Sequence, residues 1–286
     1  MSIQWFPGHM TKALRMMQDN IALSDAVGYV LDARAPASSF NPELDKITGK
    51  KPCVYILNKC DLADDEKLKQ WTQYFTQKGS LCVKVSATRL GDASRIASAF
   101  VEATADVADK YRKKGIVRPV RVMILGIPNS GKSTIINCLA GRKSAVTGDK
   151  PGVTKGMQWV RLPAGVDLLD TPGTVWPKFD DQNTAYRLCF VGSIKDDVVD
   201  LYDVSLSLLE HLKNQYPQLL AQRYRLDSVD MTALQLHEEI ARKRGFVVRG
   251  GETDTERCSK AILDDFRKGR IGKITFEVPS DMYKHV

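Results

Sequence analysis

The chain has 286 residues, enough for two domains. It has no run of about 18 apolar residues and no signal-peptide core, so we expect a cytoplasmic protein without a membrane segment. The six cysteines form no CxxC pair, which argues against a zinc site or a disulfide framework. Residues 1–179 hold 26 Lys+Arg against 16 Asp+Glu, whereas residues 180–286 hold 16 against 18. The basic first part favours a polyanionic partner such as nucleic acid.

Apolar runs predict six β-strands, and most runs are continuous, as in strands buried on both faces. The runs are Ala26–Asp32, Cys53–Asn58, Leu81–Ser86, Val120–Gly126, Met157–Leu162 and Val166–Asp170. Helical patterns over 67–77, 95–110 and 133–140 follow three of them. This alternation predicts an α/β fold with a mostly parallel sheet. Only three residues separate the last two runs, which predicts an antiparallel hairpin.

The string NKCD ends the second run and is typical of a guanine-reading motif. The Asp61 carboxylate can accept two charge-assisted hydrogen bonds from guanine, and adenine has no such donor pair. We expect Asn58 and Lys59 to brace a phosphate loop and to lie under the base. A SAT string begins 25 residues after Asp61 at the end of another strand, where the backbone of Ser86 and Ala87 would contact the base carbonyl.

The string GIPNSGKS at 126–133 matches a phosphate-binding loop and lies between a predicted strand and a predicted helix. Its backbone N–H groups would point at phosphate, Lys132 would reach the terminal phosphates, and Ser133 would bind Mg²⁺. The remaining predicted nucleotide contacts of this loop are Asn129, Ser130, Gly131 and Thr134.

Two further strings complete the nucleotide-binding pattern. Thr154 in PGVTKG is a candidate hydroxyl ligand of Mg²⁺, 21 residues after Ser133. In DTPG, 37 residues after Ser133, Asp170 would hold Mg²⁺ through water, and the Gly173 N–H would meet the γ-phosphate. Both spacings are typical of small GTPases.

The guanine-reading string precedes the phosphate loop, which inverts the order found in an ordinary GTPase. If both strings serve one nucleotide, the GTPase domain is circularly permuted. The segment KYRKKGIVRPVR would then be a solvated connector between its original ends. After about Lys178 only helical patterns remain, so we predict a GTPase domain over 1–178 and a small all-α domain over 179–286.

The motifs, their order, the opening IQWFPGHM and the closing LDDFRKGRIGKITFE resemble the YlqF group of circularly permuted GTPases, the ribosome biogenesis GTPase A family. The resemblance implies a Mg²⁺-dependent GTPase that acts in assembly of the large ribosomal subunit, with the helical domain touching rRNA, and we expect a monomer. A GTP-dependent switch acting on a protein partner stays open as an alternative, because residues 180–286 are not basic overall.

The sequence departs from ordinary GTPases after DTPG, where Thr174 and Val175 stand in place of a water-orienting Gln. We therefore expect slow intrinsic hydrolysis. The resemblance implies that His9 supplies the missing group, and a surface or packing role is the alternative. It also implies that Asn129 binds K⁺ beside the phosphates, and hydrogen bonding within the loop is the alternative.

Overall fold

A computed structural model describes residues 3–87, 89, 91–141, 156–162 and 165–284. Six strands form one sheet in the order β3-β2-β1-β4-β6-β5. They are β1 (Ala26–Asp32), β2 (Cys53–Asn58), β3 (Leu81–Val85), β4 (Val120–Leu125), β5 (Gln158–Arg161) and β6 (Val166–Asp170). All neighbouring strands are parallel except β5 and β6, which form the predicted antiparallel pair.

The strand order confirms the circular permutation. Strand β2, which ends in the guanine-reading string, and strand β4, which leads into the phosphate loop, both flank β1. The carboxyl ends of these strands therefore meet at one edge of the sheet, although the two strings are far apart in the chain. Ligands of open α/β sheets bind at this edge, where the strand order switches.

Eleven α-helices accompany the sheet in the described part of the chain. They are α1 (Gly8–Asn20), α2 (Pro42–Thr48), α3 (Asp65–Gln77), α4 (Asp92–Ala103), α5 (Ala105–Lys113), α6 (Lys132–Ala140), α7 (Gln182–Phe190), α8 (Leu201–Gln215), α9 (Pro217–Tyr224), α10 (Ala233–Lys243) and α11 (Thr255–Arg267). None of the helices described here is long and apolar enough to cross a membrane.

Two helical predictions differ from the structure. The pattern over 95–110 predicts one helix, but two helices meet at Thr104, whose hydroxyl donates to the Phe100 carbonyl 2.7 Å away. Such bonding to the preceding turn competes with regular helix geometry. The patterns also gave no helix at α1, α2, α7 or α9, which are short or start beside turn-forming residues.

The helical part is organised around α8, which packs against α7, α10 and α11. Its apolar residues form one buried cluster, and Ile3, Trp5 and Met10 from the N-terminal segment belong to the same cluster. Val175 and Trp176, directly after DTPG, lie there too. The boundary between 178 and 179 stays a prediction.

The C-terminal tail, residues 271–278, runs from the helical part onto the sheet. The Ile274 N–H donates to the Leu62 carbonyl at 3.0 Å, and the Phe276 N–H donates to the Arg34 carbonyl at 2.8 Å. The Glu277 carboxylate is fully buried, accepts from the Ser38 N–H and pairs with Arg187 at 3.2 Å. The tail thereby joins both parts of the chain.

Candidate functional site: a guanine-nucleotide pocket

The phosphate loop turns sharply between β4 and α6, and the turn requires glycine. Gly131 has φ +95°, and a Cβ there would lie 2.1 Å from the Asn58 side-chain nitrogen. Gly126 has φ +150°, and a Cβ there would lie 2.4 Å from the Val30 carbonyl oxygen. Side chains at these positions would clash with the neighbouring strands. With glycine at both positions, the loop can present its backbone N–H groups to an anion.

Lys132 is buried at the start of α6, with its ammonium group pointing back into the loop. It donates to the carbonyl oxygens of Gly126 at 3.0 Å and Ile127 at 2.8 Å. Burial lowers the pKa of Lys132 to about 8, and the nearby Asp170 carboxylate opposes this shift. A charged lysine held by two backbone carbonyls is positioned to meet a polyphosphate.

Asp170 and Ser133 converge beside Lys132 and fit a Mg²⁺ ion. The Ser133 hydroxyl lies 3.4 Å from Asp170 Oδ2. Asp170 Oδ1 is buried and has no hydrogen-bond partner among the described residues. Burial raises the pKa of Asp170, while Lys132 and Ser133 lower it. A hydroxyl and a carboxylate with an unsatisfied oxygen are ligands that Mg²⁺ takes together with phosphate oxygens.

The DTPG string closes the phosphate side of the pocket. A Cβ on Gly173 would lie 2.6 Å from Pro128 Cα and 2.9 Å from the Lys132 ammonium, so only glycine lets the two loops approach. Thr174 is fully buried, and its carbonyl accepts from the Asn41 amide at 2.9 Å. Val175 is also buried in the helical-part cluster. Thr174 and Val175 occupy the positions where an ordinary GTPase has its water-orienting Gln, and neither is exposed at the pocket.

Asn58 ties the base side of the pocket to the phosphate side. Its amide nitrogen donates to the Ser130 carbonyl at 2.8 Å, and its amide oxygen accepts from the Ala87 N–H at 3.2 Å. The Ser86 N–H is held by Asp92 at 2.8 Å. One side chain thus joins three predicted site segments, as a bracing role requires.

Lys59 also braces the phosphate loop. Its second partner is Asp32, which the sequence patterns did not link to the site. Lys59 has φ +61°, and its ammonium donates to the Asn129 carbonyl at 2.7 Å and to Asp32 at 2.9 Å. Asp32 is buried and also accepts from Arg34 at 2.8 and 2.9 Å. Desolvation opposes ionisation of Asp32, but the two cations hold its pKa well below the ordinary range. The only sequence signal was an acid at a strand end.

Asp61 lies in a short 3₁₀ turn, Cys60–Leu62, directly after β2. Its side chain is half-buried and makes no hydrogen bond to other described residues. The carboxylate therefore keeps its acceptor capacity, which is what reading guanine requires.

Comparisons with known proteins agree with this geometry. A family model described as a 50S ribosome-binding GTPase matches residues 121–244. Ribosome biogenesis GTPase A of Bacillus cereus is 42% identical over 287 residues, covering 100% of this chain and 97% of the relative. The protein of the same name from Thermotoga maritima is 32% identical over 282 residues, covering 98% and 96%. The chain belongs to the ribosome biogenesis GTPase A family.

Solved structures give the same result. GDP-bound YlqF of Thermotoga maritima superposes with a TM-score of 0.68 at 28% identity, covering 93% of this chain and 100% of that one. GNP-bound YlqF from the same organism gives 0.67 at 29% identity, covering 94% and 98%. The protein is a P-loop GTPase that binds guanine nucleotide, and P-loop GTPases generally use Mg²⁺.

The phosphate loop of this GTPase is bonded directly to the helical part, which no sequence pattern indicated. The Asn129 amide donates to the Gly192 carbonyl at 2.7 Å, and the Ser193 hydroxyl donates to the Pro128 carbonyl at 2.7 Å. Gly192 and Ser193 form the turn that ends α7. The loop that holds phosphate and the helices beyond DTPG are therefore in contact at two points.

One predicted residue, His9, is not joined to the pocket among the described residues. His9 is exposed in the first turn of α1, and no hydrogen bond between described residues links it to the phosphate loop. Its segment is packed into the body of the protein, because Trp5 and Met10 belong to the large buried cluster that also contains Val175. Thr154 lies outside the described residues.

Proposed function

We propose that this GTPase assists assembly of the large ribosomal subunit, binding the precursor particle in its GTP state and leaving after hydrolysis. The names of the relatives and of the family model support a ribosomal role. The basic charge of residues 1–179 supports contact with RNA. Ribosome assembly would place the protein in the cytoplasm, as the composition predicts.

The observation that carries the proposal is the double contact between the phosphate loop and the α7 turn. Asn129 and Pro128 of the loop bond to Gly192 and Ser193. DTPG continues directly into Val175 and Trp176 of the helical-part cluster. A change at the γ-phosphate can therefore reach the helices that would meet the particle in two ways. One is through the hydrogen bonds of the phosphate loop, and the other is along the chain that follows DTPG.

We assign the chemistry to residues of the phosphate loop and DTPG, together with Thr154. Lys132 would stabilise charge on the transferring phosphoryl group, and the Gly173 N–H would orient the γ-phosphate. Ser133 and Asp170, with Thr154, would hold Mg²⁺, which neutralises phosphate charge when it is bound. In this proposal Asn129 is a K⁺ ligand, which predicts faster hydrolysis in K⁺ than in Na⁺.

Because Thr174 and Val175 are buried, another group must orient the attacking water. We assign this role to His9, docked over the γ-phosphate when the protein is on the particle. Burial of Trp5 and Met10 in the cluster that also contains Val175 fixes the segment that carries His9 to the rest of the protein and supports this assignment. Intrinsic hydrolysis would then be slow and stimulated by the particle.

Sucrose-gradient fractionation of cell lysate tests the proposal. With a non-hydrolysable GTP analogue the protein should migrate with large-subunit particles, and with GDP it should stay at the top of the gradient. The variant Asp61→Asn is the control, because it should lose the GTP-dependent shift. Migration that is independent of nucleotide, or absent from the large-subunit fractions, would contradict the proposal.

A GTP-dependent switch acting on a basic protein is the alternative that a structural feature favours. A cavity of about 540 Å³ in the helical part is lined by four acids, Asp196, Asp197, Asp200 and Glu256, against one cation, Lys260, which pairs with Glu256. An acidic lining repels RNA and attracts cationic side chains. Substituting Asp197 and Glu256 by Asn and Gln should abolish partner binding under this alternative and leave particle binding unchanged under the main proposal.

A further inference from the structure

Trp159 is unusual among the four tryptophans of this chain. Trp5, Trp71 and Trp176 are at most 9% exposed, whereas Trp159 is 41% exposed. It lies on β5, the last strand at its edge of the sheet among the described residues. An indole that is 41% exposed on an edge strand presents aromatic surface to the solvent, where a ligand can stack on it.

Two arginines flank the exposed indole. The Arg121 guanidinium lies 5.4 Å from the Trp159 ring centroid, within the range of a cation–π contact. Arg161 is exposed two residues further along β5, so it shares a face of the strand with Trp159. We name these three residues the Trp159 surface.

The strand register fixes the charge of the Trp159 surface. Arg121 of β4 is opposite Asp167 of β6, and Asp167 is opposite Arg161 of β5. One carboxylate thus stands between two guanidinium groups, so the row is positive overall. Arg118 lies nearby and pairs at 2.7 Å with Asp25, whose carboxylate also accepts from the Arg121 N–H, so this neutral pair leaves the positive charge of the row unchanged.

The basic connector continues the positive charge away from the sheet. It follows Lys113 at the end of α5 and leads into β4 through Val117, which is 98% exposed. Lys113 and Lys114 are both exposed. An exposed aromatic ring beside a row of basic side chains is the combination that binds single-stranded nucleic acid.

We propose that the Trp159 surface binds single-stranded RNA, with an unpaired base stacked on Trp159 and phosphates held by Arg121 and Arg161. The proposal rests on the proposed function, because an assembly factor meets rRNA whose segments are not yet paired. A protein partner is less consistent with the surface, since protein interfaces bury aromatic residues in apolar cores, whereas charge surrounds Trp159.

Tryptophan fluorescence tests the stacking step, because the other three tryptophans are buried. Titration of the full-length protein with oligouridylate and oligoadenylate should quench the emission, and an RNA duplex of the same length should quench it much less. Absence of quenching by either single strand would overturn the proposal. Quenching by extracted ribosomal proteins but not by RNA would assign the surface to a protein partner instead.

Affinity measurements with substituted proteins test the residues individually. Anisotropy of a fluorescein-labelled single strand should show roughly tenfold weaker binding for Trp159→Leu, and Trp159→Tyr should restore most of it because tyrosine still stacks. Arg161→Gln should reduce the slope of log K against log salt by about 0.7, the share of one phosphate on a single strand. If Trp159→Leu and Trp159→Tyr bound the strand with the same affinity, stacking of a base on residue 159 would be excluded.

The control is Lys69→Gln, which removes the same charge from an exposed position on α3. It should leave both affinity and quenching unchanged. GTP hydrolysis without RNA should be the same in all these variants, because none of the substituted residues lies in the nucleotide pocket. These assays need no ribosomal particle, so they separate this proposal from the gradient experiment. If Trp159→Leu bound the RNA strand with wild-type affinity and the protein still bound the particle, only the proposal for the Trp159 surface would be overturned.

Discussion

The Ser193 hydroxyl donates a 2.7 Å hydrogen bond to the Pro128 carbonyl, so a residue of the helical part holds the phosphate loop. Both residues are buried or nearly so. In an ordinary GTPase order the segment after DTPG continues within the same domain, whereas here it supplies a support for the loop. Nucleotide affinity should therefore depend on the helical part.

Ser193→Ala should weaken GTP binding about two- to tenfold, because one hydrogen bond contributes about 0.5–1.5 kcal/mol. The expected readout is the Kd of a fluorescent GTP analogue. Ser205→Ala is the matched control, since Ser205 is equally buried in the helical part but bonds to Ser259. An equal loss in both variants would indicate general destabilisation rather than support of the loop.

Asp61→Asn should shift base preference from guanine to xanthine. The amide offers a donor where the carboxylate accepted, and the 2-oxo group of xanthine matches that donor. GTP affinity should fall by two orders of magnitude or more, because buried polar mismatches discriminate strongly. Competition between GTP and XTP measures the effect, and unchanged GTP affinity would remove NKCD from the site.

Lys132→Ala should reduce the hydrolysis rate by about 10²–10³-fold or more, since it removes the charge at the transferring phosphoryl group. Lys132→Arg tests geometry against charge, because its carbonyl partners at Gly126 and Ile127 lie at 2.8–3.0 Å and leave little room. Single-turnover release of phosphate is the measurement. A normal rate in Lys132→Ala would exclude the assigned role.

His9→Ala should leave intrinsic hydrolysis and particle binding unchanged while removing most of the stimulated rate. The reason is that exposed His9 can act only where the particle brings it to the γ-phosphate. Thr11→Ala, exposed on the same turn of α1, is the control. A preserved ratio of stimulated to intrinsic rate would leave His9 with a surface role.

Stability should fall as the pH drops below about 6.5, because burial lowers the pKa of His211 and His237 from their ordinary value of 6.5. The unfolded chain then binds more protons than the native protein, so the free energy of unfolding decreases with falling pH. His237 contributes because its Nδ1 is buried without a partner among the described residues. Urea unfolding at pH 7.5 and 5.5 should show a smaller decrease in His237→Gln than in His9→Ala.

Much of the pocket could be predicted from the sequence, because strand ends and motif strings coincide there. The runs Ala26–Asp32 and Cys53–Asn58 were predicted with the bounds that the structure has, since each is a continuous apolar segment ending in a polar residue. Parallel strands bring such ends together regardless of their order in the chain. The roles of Asn58 and Lys132 followed from the same logic.

The features that could not be predicted from the sequence depend on contacts that no local pattern encodes. Arg34 and Asp32 sit two residues apart, but their link to the phosphate loop requires Lys59 in a left-handed conformation. The pairing of Ser193 with Pro128 spans 65 residues. Helix α7 was missed because it is short and polar Thr184 lies on its buried face, which weakens the apolar periodicity.

The C-terminal tail has a consequence for biosynthesis. The carbonyl of Leu62, one residue after the guanine reader, is bonded by the N–H of Ile274. A nascent chain therefore exposes its guanine-reading loop long before the residue that secures it has been translated. The hydrogen bond that holds this loop forms only after Ile274 has left the ribosome that makes the chain, so a product that stalls before Ile274 lacks it.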